Sequence, residues 1–86
     1  MKIKIYEYGS NKAYTNMKIQ FQIKGKDSGF LTFTTDEYGE VYFDDKYQGQ
    51  QISLLEGGMP GQWFAAKDGL TMYYNKATQK DKEYFK

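Results

Sequence analysis

Residues 17–24 read Met-Lys-Ile-Gln-Phe-Gln-Ile-Lys, with every odd position apolar and every even position lysine or glutamine. A strict period of two has one conformational solution, an extended strand that buries one face and wets the other. One-sided burial of this kind belongs to antiparallel sheets, because parallel sheets are covered on both faces by helices. The same alternation returns at Leu31 and Phe33 between threonines, at Val41 and Phe43, at Ile52 and Leu54, and at Leu70, Met72 and Tyr74. Turn-forming residues separate these runs, notably residues 25–29, 38–39, 57–61 and 67–69, at about the 8–12 residue spacing of sandwiches and barrels. The pattern predicts strands near residues 2–8, 16–24, 30–35, 40–44, 50–56, 62–66 and 70–74. The expected fold is therefore all-β and antiparallel, a sandwich or barrel of about seven strands in one domain over residues 1–75. Residues 76–86 are expected to form a charged C-terminal tail or short helix.

With 86 residues, a chain buries only about 60% of the surface its unfolded form exposes. Each large side chain then weighs on stability, and the 19% aromatic content supplies the material. Phe21, Phe33, Phe43, Phe64 and Trp63 are the expected core aromatics, with Trp63 anchoring the second sheet from within. The alternative for Trp63 is an exposed edge shared with Met59 and the glycine loop. Three local features are expected besides. Asp36 should bond backbone amides two residues on while Gly39 takes positive φ, closing a hairpin between residues 30–35 and 40–44. Pro60-Gly61 should form a type II turn inside a loop at residues 57–61. The shift of apolar parity from Ile3 and Ile5 to Tyr6 and Tyr8 suggests a bulge or a change of sheet near Tyr6.

The chemistry the chain lacks narrows its function. It has no histidine and no cysteine, which removes the commonest general base, the thiol nucleophile and ordinary zinc sites. No nucleophile elbow or phosphate loop occurs, so the sequence argues against an enzyme and offers no cofactor motif. Asp36, Glu37, Asp44 and Asp45 lack calcium-loop spacing, and no metal site is expected. All 12 basic residues are lysines and the formal charge is +1. The absence of arginine and of a basic stripe weighs against nucleic acid, despite aromatics and lysines suited to single strands. No apolar run reaches the ~20 residues of a membrane helix and no signal-peptide pattern opens the sequence. The expectation is a cytoplasmic protein without membrane contact, with a leaderless secretion route open to it.

What remains is aromatic surface. Nine tyrosines exceed what one small core buries with satisfied hydroxyls, and tyrosine gives rigid contact area at low entropic cost. Tyr6, Tyr8, Tyr42, Tyr47, Met59, Trp63 and Tyr73 are the candidate binding-surface residues, for a protein or, with Trp63, Tyr73 and Tyr74 as a stacking platform, for carbohydrate. Cross-strand pairing in sheets is the competing use of such tyrosines. A homodimer through sheet edges is a further candidate, because unpaired strand groups invite pairing.

The order Ile3-Lys4-Ile5, Met17-Lys18-Ile19-Gln20-Phe21, Phe33-Thr34-Thr35-Asp36, then Gly39 and Val41-Tyr42-Phe43 resembles the transthyretin-like (prealbumin-like) and carboxypeptidase regulatory-like domains over residues 2–56. That resemblance implies a seven-stranded Greek-key sandwich serving as an accessory or docking module in surface proteins and in secretion or injection machines, without shared catalysis. The segment Gly-Gly-Met-Pro-Gly-Gln-Trp at residues 57–63 and the missing signal sequence depart from the group's usual pattern. The functional expectation is a non-catalytic protein-protein interaction module, an adaptor or docking domain of a larger assembly. The alternatives are a small phage-encoded inhibitor of a bacterial defence protein, or a carbohydrate-binding domain.

Overall fold

A computed structural model describes residues 1–75. The expected tail at residues 76–86 lies outside the described residues. Seven strands are present among the described residues: β1 (Lys2–Glu7), β2 (Lys18–Lys24), β3 (Gly29–Thr34), β4 (Glu40–Tyr42), β5 (Gln51–Glu56), β6 (Met59–Ala65) and β7 (Leu70–Tyr74), with a 3-10 turn at Asp45–Tyr47. They form a three-stranded sheet ordered β4-β1-β7 and a four-stranded sheet ordered β3-β2-β5-β6. After β2 and β3 the chain crosses to β4 in the other sheet, and β5 then returns beside β2, a Greek-key path.

Alternation dictates which side chains meet between the layers. In β2, Ile19, Phe21 and Ile23 are buried while Lys18, Gln20 and Lys24 are exposed. Ile3 and Ile5 of β1, Val41 of β4, Leu70 and Met72 of β7, and Ile52 and Leu54 of β5 join them in one core. Phe21 stands edge-on to both Phe33 and Phe43, with centroids 5.8 and 5.0 Å apart, and Phe33 stacks on Phe43 at 4.7 Å. This trio ties β2 and β3 of one sheet to the segment just after β4 of the other. Full burial of one such ring contributes about 1.5–3 kcal/mol.

Several expectations need correction. Asp36 does organise a tight reversal: its Oδ1 accepts bonds from Tyr38 N at 2.8 Å and Glu40 N at 2.9 Å. Gly39 sits at φ 77°, where an added Cβ would meet the Ile5 carbonyl oxygen at 2.8 Å. Yet the reversal closes no hairpin, because β3 pairs with β2 and β4 pairs with β1. It is an arch between sheets, since Val41 finds its apolar neighbours opposite Ile3. The turn at residues 57–61 is also displaced. Glu56 pairs with Met59, and Gly57 and Gly58 have φ of 64° and 79°, the two-residue geometry whose twist suits antiparallel strands. Pro60 and Gly61 therefore belong to β6, and proline is tolerated there because β6 is an edge strand.

No bulge interrupts β1. Its register with β7 runs unbroken from Ile3↔Leu70 to Glu7↔Tyr74, and the irregularity lies instead between Ser53 and Leu55 of β5. The β1–β7 pairing is parallel, whereas the other strand pairings among the described residues are antiparallel. Its register is set by the turn before β7, where Asp68 Oδ1 accepts from Lys2 N and Gly69 N donates to Lys2 O, both at 2.8 Å. Finally, Phe64 rather than Trp63 packs against the core, because Phe64 pairs with inward-facing Ile52 and Trp63 with outward-facing Ser53.

Candidate functional site

With Ile3 and Ile5 turned inward, Lys2, Lys4 and Tyr6 point outward from β1, the middle strand of the three-stranded sheet. The registers fill in that outer face. Tyr42 lies opposite Lys2, Glu40 and Thr71 flank Lys4, and Tyr73 lies beside Tyr6. Tyr6 and Tyr73 stack with centroids 5.8 Å apart at 28°. The Lys4 ammonium stands 5.3 Å above the Tyr6 ring, within cation–π range. At the other end, Glu40 accepts a hydrogen bond from the Tyr42 hydroxyl at 3.2 Å and lies 3.6 Å from the Lys2 ammonium. The bond to Glu40 raises the pKa of the Tyr42 phenol above its ordinary value.

Tyr8 extends the same surface past the end of β1, where its N–H donates to Tyr74 O at 2.9 Å. Tyr8 is 65% exposed, Tyr42 60% and Tyr73 50%. Between Tyr8 and Tyr73 the surface dips into a groove of about 340 Å³ that Gly9 and Asn11 complete. A second depression of about 220 Å³ adjoins it at the seam between the sheets, reaching Phe64 and Met72. Four residues of strand separate the Tyr42 row from the Tyr6–Tyr73 row, about 13 Å. The face thus presents phenol rings at both ends and a lysine–glutamate patch between them. Among the described residues, no three carboxylates gather as a metal site would need. Asp36 is engaged with backbone amides, and Asp44 caps the 3-10 turn through the Lys46 amide.

Of the seven candidate surface residues, the structure brings Tyr6, Tyr8, Tyr42 and Tyr73 together and leaves three elsewhere. Tyr47 is half-buried: one side of it packs against the core, edge-on to Phe43 at 6.0 Å, because the 3-10 turn folds it back. Met59 is exposed at the start of β6. Trp63 is half-buried on the outer face of the four-stranded sheet, with the Lys24 ammonium 4.3 Å from its ring. The stacking platform of Trp63, Tyr73 and Tyr74 does not assemble, since Trp63 and Tyr73 lie on different sheets and Tyr74 stacks on buried Tyr14 at 4.8 Å. Lys2, Lys4 and Glu40 of the tyrosine face were not among the sequence candidates. Period-two parity with Tyr6 and Tyr42 is the signal that picks them out.

The fold and this face define a small two-sheet β-sandwich with an aromatic outer surface. Comparisons with protein-family models, with curated proteins and with solved structures find no match for the chain. No helix among the described residues is long and apolar enough to cross a membrane.

Proposed function

We propose that the chain is a non-catalytic protein-binding module whose contact surface is the outer face of the three-stranded sheet. The observation that carries this reading is the convergence of Tyr6, Tyr8, Tyr42 and Tyr73, which come from β1, the segment after it, β4 and β7, on one exposed face. Tyrosine is an enriched residue at interface centres and among hot spots. The Tyr6–Tyr73 stack restrains two rings before any partner arrives, which lowers the ordering cost of binding. The empty inventory of histidine and cysteine supports the non-catalytic part.

Within that reading the module serves as an adaptor or docking domain of a larger assembly of the secretion or injection type. The seven-stranded two-sheet architecture supports the resemblance to transthyretin-like domains from which this use follows. A small phage-encoded inhibitor of a bacterial defence protein would use the same face, and genomic neighbours distinguish the two. In affinity capture from the source cell, followed by direct titration of the captured protein, Tyr42→Ala and Tyr73→Ala should each weaken binding by about tenfold or more, the scale of a hot-spot truncation. Undiminished affinity in both variants refutes this choice of surface.

A further inference from the structure

We infer that the free edge of β3 is a self-pairing surface, through which two copies of this chain join antiparallel and merge their four-stranded sheets into one. The inference is independent of the tyrosine face and concerns the opposite sheet.

The backbone groups can be assigned from the ladder. β3 pairs with β2 without interruption from Lys18↔Thr34 to Ile23↔Gly29, and Thr35 N donates to Met17 O at 2.9 Å. Antiparallel strands bond at alternate residues. Gly29, Leu31 and Phe33 therefore direct their N–H and C=O groups toward β2, and Phe30, Thr32 and Thr34 direct theirs away from it. Those last three residues are all exposed.

Two of the other described edges, β6 and β4, are guarded in ways β3 is not. β6 carries Pro60 and a register shift, and β4 has only three residues. β7 leads on into residues outside the described span. β3 has six residues, none charged, no proline and no bulge. An open edge of this kind is a template for another strand. Its apolar side chains sharpen the point, because Phe30 is 60% exposed and Leu31 and Phe33, although turned toward the core, are only half-buried.

A second copy fits this edge on three counts. With Thr32 opposite its own equivalent, Phe30 faces Thr34 and Leu31 faces Phe33, so outward residues meet outward ones and each half-buried Leu31 gains a Phe33 beside it. In the same register, residues 30, 32 and 34 of both copies exchange the backbone bonds that β2 leaves unused. Antiparallel approach also brings Lys26, exposed before β3, toward Glu37, exposed after it, in the other copy. The result is an isologous two-fold contact.

The chain contains no cysteine, so a single introduced thiol reports the geometry directly. A bonded antiparallel pair places its Cα atoms about 5.5 Å apart, within disulfide reach. Thr32→Cys should oxidise to a covalent dimer, while Thr71→Cys, on the other sheet's outer face, should not. Sedimentation equilibrium of the cysteine-free protein should show its mass rising from 10.1 kDa toward twice that value with concentration. Thr32→Lys, which sets like charges opposite each other at an exposed position, should raise the dissociation constant by about fivefold. Thr32→Pro, which removes an amide that β2 does not use, should leave a monomer with an unchanged circular dichroism spectrum. Tyr42→Ala and Tyr73→Ala should dimerise like the parent, which separates this edge from the binding face. A monomer at every concentration up to millimolar, a dimer unaffected by both Thr32 variants, a dimer dissolved by the tyrosine variants, or equal cross-linking through Thr71→Cys would each overturn the inference.

Discussion

Ser53 stands on a central strand of the four-stranded sheet with no exposed surface, and its Oγ has no hydrogen-bond partner. A hydroxyl removed from water without compensation costs about 1–3 kcal/mol on protein mutational scales. Ser53→Ala should therefore raise the melting temperature, by about 4–8 °C per kcal/mol recovered in a domain of this size. Thermal denaturation checks this, and an unchanged or lower midpoint would contradict it. Tyr14 and Tyr74 pose a related problem with a proton attached. Their rings stack at 4.8 Å, and burial pushes both phenols above the ordinary value of 10.0 because the phenolate would lose its hydration. Coulombic repulsion adds to this, from Tyr74 and then Glu7 at Tyr14, and from Glu56 at Tyr74. A folded pKa above the unfolded one stabilises the fold fully below the unfolded value and loses that contribution as pH rises through the folded value. Urea midpoints should accordingly hold level with respect to these two groups below pH 10 and fall above it. Tyr14→Phe, which keeps the ring and removes the ionisable hydroxyl, should flatten that alkaline limb.

At the scale of the element, the β5–β6 hairpin tests whether turn chemistry or strand propensity sets the register. Gly57 and Gly58 both have positive φ, and asparagine is the side chain best accepted at the first such position. Gly57→Asn should leave the melting temperature within a few degrees of the parent, whereas Gly57→Ala should lower it, since a left-handed alanine costs about 1–2 kcal/mol. The strands also show what the sequence made legible. Alternation in residues 17–24 located β2 and its buried face, because side-chain parity is a local property that no partner changes. The tyrosine face was readable for the same reason at Tyr6 and Tyr42, one residue out of step with Ile3, Ile5 and Val41. Pairing was not readable. Asp36 and Gly39 dictate that the chain reverses, yet whether β4 then joins β3 or β1 depends on apolar partners thirty or more positions away. The position of Trp63 was lost for a similar reason, since adjacent Trp63 and Phe64 are equally apolar and only the register with β5 decides which one faces in. Met59-Pro60-Gly61 read as a loop because proline and glycine usually mark one, and only the free edge of β6 makes them compatible with a strand.

On the scale of the molecule, the two sheets share one core, bridged by the Phe21, Phe33 and Phe43 rings. Neither layer has an apolar interior of its own, so the described chain should unfold in one step. Trp63 fluorescence, which reports the four-stranded sheet, and near-ultraviolet dichroism from the Tyr14–Tyr74 stack, which lies beside the other, should give superimposable urea transitions. Separate midpoints would mean that one sheet survives alone. The position of β1 between β4 and β7 has a consequence for biosynthesis. β1 leaves the ribosome before the other described strands, yet it needs a neighbour that is translated more than sixty codons later. Until Tyr74 has cleared the exit tunnel, the growing polypeptide holds an isoleucine-bearing strand without its last lateral partner. Chaperone occupancy on the nascent protein should persist until β7 has emerged.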